Sequence, residues 1–268
     1  MSRQRQFLAS LVVMVLSLAG CAAVNELNLV STEQEIQMGA EFAAEVEREM
    51  VMYDDPVVGA YIDSLGQILA AHSDRPDIEY HFKVVDTDEV NAFALPGGYL
   101  YVNRGLITAA ESEAELAGVI GHEVGHVVGR HSAKQLTRQL GLAALAQIAL
   151  GEDPGMVKSL VANIAATGAM MKYSRDAERE ADRYGADETY RSGIDPGGMV
   201  TFFEKLKAMH DREPTATEKF FSTHPPTSER IQSTKEYIAS LPEKDPLQAD
   251  SARFHAIQER IAARQGNS

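Results

Sequence analysis

The stretch "GHEVGHVVGRH", residues 121–131, contains three histidines within a pattern typical of catalytic zinc sites. In a helix, positions i and i+4 lie on one face, so His122 and His126 can direct their imidazoles at one metal ion. Glu123 can then reach a water in the open coordination position. Apolar residues surround the motif and predict a buried helix. Two buried histidines and a buried glutamate need a polar partner, and a zinc ion supplies one.

The third ligand is not obvious from this stretch. In the metzincin pattern His-Glu-x-x-His-x-x-Gly-x-x-His, the last histidine would stand where this sequence has Ser132. His131 falls one residue early, and a continuous helix would turn it away from the face of His122 and His126. We therefore interpret His131 as a residue at the helix end, favoured there by the helix dipole, and not as a ligand.

A better source of the third ligand is "SRDAEREADRYGAD", residues 174–187, about fifty residues later. Glu178 and Asp182 are four positions apart and share a helix face. Glu178 can bind the metal while Asp182 accepts a hydrogen bond from the second nitrogen of a ligand histidine. In an acidic chain such a pair is otherwise a surface feature. Glu180 and Asp176 lie on other faces, where we expect solvent.

The N-terminus predicts export. Arg3 and Arg5 precede an apolar run, residues 7–20, that is shorter than the roughly twenty residues needed to span a bilayer. It ends in "LAGC", which resembles the lipobox of bacterial lipoproteins and implies removal of residues 1–20 and lipidation of Cys21, the only cysteine. The alternative is an uncleaved signal anchor. Cys21 is followed by Ala22, which resembles the pattern of lipoproteins sent to the outer membrane. We therefore expect the protein at the periplasmic face of that membrane.

The remaining pattern predicts an α+β fold. Residues 21–30 form a tether, and residues 31–268 are predicted to form one mostly helical domain. A capping box of Thr32 and Glu35 starts the first helix, and Pro56 starts the second. Residues 78–86 and 91–103 predict a small antiparallel or mixed sheet beside the active-site helix. Two apolar stretches within residues 140–171 are too short to span a membrane and predict a helical hairpin, packed on the body or over the active site. A net charge of −14 argues against nucleic acid as a partner.

Four segments together resemble the zinc metallopeptidase family that includes HtpX and the CAAX prenyl proteases, and the layout resembles its small periplasmic lipoprotein members. The segments are "NAFALPGGYLYVNRGLI" (91–107), "GHEVGHV" (121–127), "SRDAEREAD" (174–182) and "STHPPTSERI" (222–231). The resemblance implies a zincin-type fold with one zinc ion per chain, bound by His122, His126 and Glu178, and Glu123 as general base. It also places His224 in the cleft, where it either stabilises the oxyanion or caps the metal. Gly125 departs from the pattern and is expected to let another backbone pack closely.

These features predict a zinc-dependent endopeptidase of the bacterial envelope that hydrolyses unfolded or misassembled envelope proteins. We expect extended substrates to pair with an edge strand formed by Asn91, Ala92, Phe93 and Ala94. An alternative from another class is a chaperone or assembly factor for outer-membrane proteins with little proteolysis. A third is a zinc hydrolase of non-peptide bonds such as cell-wall amides, against which the peptide-binding edge strand argues.

Overall fold

A computed structural model describes residues 30–167, 173–212 and 214–266. The predicted signal peptide and Cys21, with most of the predicted tether, lie outside these residues. In chain order the helices are α1 (Thr32–Glu49), α2 (Pro56–Ala71), α3 (Arg104–Ala109), α4 (Glu113–Val128), α5 (His131–Leu140), α6 (Leu142–Ala149), α7 (Pro154–Thr167), α8 (Arg175–Arg191), α9 (Gly197–His210), α10 (Pro214–Thr223), α11 (Ser228–Ser240) and α12 (Ala252–Gln265).

A three-stranded sheet lies between α2 and α3 in the sequence. Its strands are β1 (His81–Val85), β2 (Ala92–Ala94) and β3 (Tyr99–Asn103), in the order β1-β3-β2. β1 runs parallel to β3, and β2 runs antiparallel to β3 with Phe93 opposite Tyr101. A short 3₁₀ turn, Pro96–Gly98, joins β2 to β3. The prediction of a mostly helical α+β fold with a small mixed sheet is therefore confirmed.

The first two helices begin with side-chain caps. The capping box of α1 is formed by Ser31 and Gln34, one residue before the predicted pair, so the prediction of Thr32 and Glu35 was wrong. The capping-box pattern, Ser or Thr followed three residues later by Glu or Gln, fits both residues 31–34 and residues 32–35. In the structure Ser31 has the extended backbone of an N-cap residue, and its hydroxyl accepts a hydrogen bond from the Gln34 N–H. Pro56 starts α2 as predicted, with the Asp55 carboxylate as N-cap.

The two faces of the sheet bury different sets of side chains, as expected from the alternation along a strand. One face carries Phe82 and Leu100 into the main core with α2, α4 and α9. The other carries Phe93 and Tyr101 into a second core with α1, α6 and α7. The predicted hairpin therefore packs on the body of the domain over its described part. Among the described residues, no helix is long and apolar enough to cross a membrane.

Helices α4 and α8 pack backbone to backbone along a line of glycines. A Cβ atom at Gly125 would lie 2.7 Å from the Ala181 carbonyl oxygen, and one at Gly185 would lie 2.6 Å from the His122 nitrogen. Real Cβ atoms essentially never approach other atoms so closely. The missing side chains therefore let α8 approach α4 closely enough to face its polar residues, as expected at Gly125.

Candidate metal centre and active site

His122 and His126 project from one face of α4 into the interior. Both residues are fully buried. Their Nε2 atoms lie 3.1 Å apart, and the two rings meet edge to face with centroids 4.7 Å apart. Two ring nitrogens that face each other at this distance need a proton or a cation between them. The spacing on α4 therefore places both rings on one face, as the sequence predicts.

Glu178 and Asp182 lie opposite these histidines on α8. The Glu178 carboxylate oxygens lie 3.5 Å from the His122 Nε2 and 3.6 Å from the His126 Nε2. An Asp182 oxygen lies 2.9 Å from the His122 Nδ1, on the far side of that ring. The structure thus places Glu178 beside the two facing nitrogens and Asp182 behind one of them.

His224 reaches the same point from the loop that follows α10. Its Nδ1 lies 3.1 Å from a Glu178 oxygen and 3.2 Å from the His122 Nε2. Its Nε2 lies 3.6 Å from the Glu123 carboxylate. His224 is 3% exposed, so the His-Pro-Pro segment lies within the closed interior of the site and not on a solvated loop.

Four side chains of this group could hold one metal ion: His122, His126, Glu178 and His224. Each offers a ligand atom, and these atoms all lie within 4.8 Å of one another. The ligand atoms of a tetrahedral zinc ion, with bonds of about 2.0–2.1 Å, are about 3.3 Å apart. The contacts described above, at 3.1–3.6 Å, are close to that spacing, and no separation within the group exceeds 4.8 Å. Nitrogen and carboxylate donors are the set that zinc prefers, so the residues fit the ion.

The electrostatics of the cluster favour positive charge at its centre. Burial lowers the pKa of His122, but its contacts with Asp182 and Glu178 outweigh burial and raise that pKa to about 9. Burial raises the pKa of Glu178, but His224 and His122 hold it well below its ordinary value. Burial and the neighbouring His122 lower the pKa of His126. The carboxylates thus stabilise a cation next to uncharged His126.

Glu123 lies on α4 beside the cluster and is 2% exposed. Burial raises the pKa of its carboxyl, while His224 and His122 oppose that rise. The backbone N–H of Ala94 in β2 hydrogen-bonds the same carboxyl. Glu123 is therefore held between this cluster and the edge of the sheet, and burial favours its uptake of a proton.

Arg230 of α11 also belongs to the cluster, although no role was predicted for this residue. It is 3% exposed, and its guanidinium contacts the Glu178 carboxylate at 2.7 Å. Two further nitrogens donate to Asp182 at 2.6 and 2.8 Å in a bidentate pair. The motif "STHPPTSERI" contains this arginine, and two buried carboxylates on α8 are a signal that a buried cation must face them.

His131 was predicted to point away from the cluster, and this prediction was wrong in its geometry. The helix does not continue, because α4 ends at Val128 and α5 begins at His131. His131 turns back, and its Nδ1 lies 2.9 Å from the His126 Nδ1. It is absent from the four ligand donors. Glu180, expected in solvent, contacts the other nitrogen of His131 at 3.1 Å, whereas Asp176 is 89% exposed at its side chain.

Ser132 and Tyr173 close the site on the side of the sheet. The Tyr173 ring stacks on His126 with centroids 4.1 Å apart, and its hydroxyl lies 2.8 Å from the Ser132 hydroxyl. Ser132 donates to the carbonyl oxygen of Ala94 at 3.2 Å. Tyr173 was not predicted as a site residue, because nothing in its local sequence pattern distinguishes it from a core aromatic residue.

The predicted substrate strand is at the edge of the sheet. Ala92, Phe93 and Ala94 form β2, and Asn91 precedes it, with its carbonyl accepting from the Asn103 N–H. One edge of β2 pairs with β3. The opposite edge faces α4 and the start of α5, where the Ala94 backbone contacts Glu123 of α4 and Ser132 of α5. The strand therefore borders the cluster directly.

Comparisons with known proteins agree with this geometry. Residues 56–238 match the family described as Peptidase family M48. The Beta-barrel assembly-enhancing protease of Escherichia coli (strain K12) is 34% identical over 75% of this chain and 43% of its own length. Metalloprotease YcaL of the same strain is 35% identical over 60% of this chain and 63% of its own. Mitochondrial metalloendopeptidase OMA1 of Arabidopsis thaliana is 38% identical over 60% of this chain and 32% of its own. The alignments thus span less than two thirds of these relatives.

Proposed function

Because the chain belongs to peptidase family M48 and is a metallopeptidase, we propose that it hydrolyses peptide bonds with one zinc ion held by His122, His126 and Glu178. The observation that carries this proposal is the convergence of their ligand atoms in a buried cluster. Two further residues support it. Asp182 contacts the second ring nitrogen of His122 and orients that ring, and Arg230 balances the charge of Asp182.

Bound zinc supplies Lewis acidity that polarises the scissile carbonyl and acidifies water. The chain itself supplies the proton transfers. Glu123, next to the ligands, accepts a proton from the attacking water and passes it to the leaving amine. Its burial supports this role, because a carboxylate out of water is a stronger base.

His224 has two roles in the sequence-based prediction, and its position favours the second. His224 is one of the four residues whose ligand atoms converge, and its Nδ1 faces His122 and Glu178, which supports a resting state in which His224 caps the metal. Moving this ring aside would free the position for water, and its Nε2 would then be available to stabilise the oxyanion. If capping limits the rate, His224→Ala raises proteolysis; if oxyanion stabilisation dominates, the same change lowers it.

The substrate is proposed to lie extended beside β2. Main-chain pairing of this kind depends little on side chains and suits unfolded polypeptides. The Ala94 N–H contacts Glu123, and the Ala94 carbonyl accepts from Ser132. A bound peptide would replace these two side chains as the hydrogen-bond partner of Ala94. The location beside Glu123 brings a paired peptide next to the general base.

We also propose that the protein acts in the bacterial envelope, lipidated at Cys21 and held at the periplasmic face of the outer membrane. Its substrates would be unfolded or misassembled envelope proteins. Two observations support this proposal: the lipobox-like "LAGC" sequence and the similarity to a relative named Beta-barrel assembly-enhancing protease. The strong negative charge supports polypeptide over nucleic acid as the partner.

A second candidate function is assembly of outer-membrane proteins with little proteolysis. The position of His224 against the other donors favours it, because a metal capped by His224 would have no open position for the water that cleavage needs. Complementation separates the two functions. If Glu123→Gln rescues an envelope defect as well as the wild type does, assembly without cleavage is the main activity.

The test of the peptidase proposal is cleavage of an unfolded protein by zinc-loaded wild type and Glu123→Gln. We expect the variant to keep its zinc and to lose about 10²–10⁴-fold in rate. Glu236→Gln is the matched control, because that glutamate is exposed on α11 and should leave the rate unchanged. Equal cleavage by Glu123→Gln and the wild type would refute the mechanism.

A further inference from the structure

The turn between α4 and α5 holds its backbone in an unusual conformation. Arg130 has a φ of 54°, in the left-handed region that non-glycine residues rarely occupy. The side chain of Arg130 is fixed by the Glu35 carboxylate at 2.6 Å and by the Val30 carbonyl at 2.6 Å. Strain of this kind persists only where surrounding contacts impose it, and it occurs often near functional sites.

This turn brings His131 against the outer edge of His126. The two Nδ1 atoms lie 2.9 Å apart, with ring centroids separated by 5.0 Å and planes at 76°. The Nε2 of His131 lies 3.1 Å from a Glu180 carboxylate oxygen. His131 is 3% exposed, whereas the Glu180 side chain is 46% exposed. A chain of contacts therefore runs from the cluster through His131 to the surface.

The donors and acceptors along this chain allow one consistent proton arrangement. The His126 Nε2 faces the other ligand donors, so as a ligand it carries no proton and the His126 proton is on Nδ1. That Nδ1–H donates to the Nδ1 of His131. The proton of neutral His131 is then on Nε2, which donates to the Glu180 carboxylate. In this arrangement both ring nitrogens of His131 and the Nδ1 of His126 are hydrogen-bonded, and both rings are uncharged.

We propose that His131 and Glu180 are positioning residues that fix the tautomer and orientation of His126 for metal binding. This inference rests on the proposed metal site. A ligand histidine ordinarily needs a partner for its second nitrogen, and such partners commonly change metal affinity when they are removed. In this protein the partner of the His126 Nδ1 is neutral His131, and the carboxylate of Glu180 contacts His131 instead of the ligand itself.

The other ligand histidine has a different partner. The Nδ1 of His122 lies 2.9 Å from Asp182, a carboxylate that Arg230 holds in the interior. Glu180 instead borders a cavity of about 80 Å³ at the protein surface. Because its side chain is partly exposed, substitutions at Glu180 test the chain of contacts with little disturbance of the core packing.

The experiment measures zinc affinity of the full chain by competition with a chelator, and thermal unfolding of the metal-free protein. The variants are His131→Ala, His131→Asn, His131→Gln and Glu180→Gln, with His210→Asn as a control away from the cluster. In His131→Asn, the amide oxygen lies where Nδ1 was and can still accept a hydrogen bond from the His126 Nδ1–H. In His131→Gln, the amide lies where Nε2 was, so the contact with Glu180 is kept and the acceptor for His126 is lost. We expect the alanine and glutamine variants to bind zinc about 10–100-fold more weakly. The asparagine variant should bind nearly as tightly as the wild type, and Glu180→Gln should show a smaller loss than His131→Gln.

Equal affinities of the asparagine and glutamine variants would overturn the proposal, because a merely structural role does not distinguish which ring nitrogen is replaced. If the His131 variants fail to fold, Glu180→Gln decides, and an unchanged affinity there also overturns it. Failure of the proposed metal site has a different signature. In that case the wild type itself binds no zinc, or Glu178→Gln binds zinc as tightly as the wild type.

Discussion

Gly125→Ala tests whether the close approach of α4 and α8 sets the site. The added Cβ would lie 2.7 Å from the Ala181 carbonyl oxygen, where ordinary contacts begin at 3.4 Å. Overpacking of this kind costs about 1–3 kcal/mol. Alanine is favoured over glycine in a helix by about 1 kcal/mol. Gly59→Ala in α2 is the matched control, because nothing lies within 4 Å of its Cβ position.

Since the helix preference is shared, the two variants should differ in the free energy of unfolding by about 1–3 kcal/mol. Urea denaturation of the metal-free proteins measures this difference, with Gly59→Ala equal to or more stable than the wild type. Gly125→Ala should also bind zinc more weakly, because pushing α8 away moves Glu178 from His126. Equal stability of the two variants, with unchanged zinc affinity, would show that the close approach of α4 and α8 does not set the geometry of the site.

Three further changes have defined outcomes. Burial raises the pKa of Asp55, but hydrogen bonds from Arg260 and Arg264 lower it from 3.8 to about 2; Asp55→Ala should therefore lose about 2 kcal/mol of unfolding free energy at neutral pH. Urea titrations should show that difference vanishing as the pH falls from 3.8 towards 2. Within the described part of the chain, neither carboxylate oxygen of buried Glu188 has a hydrogen-bond partner, and burial raises the pKa of Glu188 well above 4.5. The stability of the wild type should therefore decrease as the pH rises above 4.5, and Glu188→Gln should stabilise the protein at pH 8 by about 1–3 kcal/mol but less at pH 5. Arg230→Leu should lower the unfolding free energy of the metal-free protein by about 3–5 kcal/mol, measured in urea, because it removes the buried guanidinium that pairs with both Glu178 and Asp182.

Features set by local sequence were predictable. Helical spacing alone puts His122 and His126 on one face, and Glu178 and Asp182 on another. The Pro-Gly-Gly turn, with φ of 73° at Gly97 and 94° at Gly98, needs residues without a Cβ and predicts the strand pair around it. The family resemblance, now confirmed, rests on these same segments.

Features set by contacts distant in the sequence were not predictable. The helix break at Arg130 depends on Glu35, 95 residues earlier, which holds a backbone conformation that arginine does not prefer. Without that contact, the pattern "VVGRH" is compatible with a continuous helix, and His131 was placed on the wrong side. Arg230 reaches Asp182 across 48 residues, and its role follows only from the packing of α11 on α8.

Metal content per chain, measured by elemental analysis of purified wild type, Glu178→Ala and Glu236→Ala, decides whether Glu178 is a metal ligand. Glu178 contacts the two facing histidines, whereas Glu236 is exposed on α11. We predict one zinc ion per chain in the wild type and in Glu236→Ala, and a largely empty site in Glu178→Ala. A full complement of zinc in Glu178→Ala would contradict the assignment of the metal centre and the mechanism built on it.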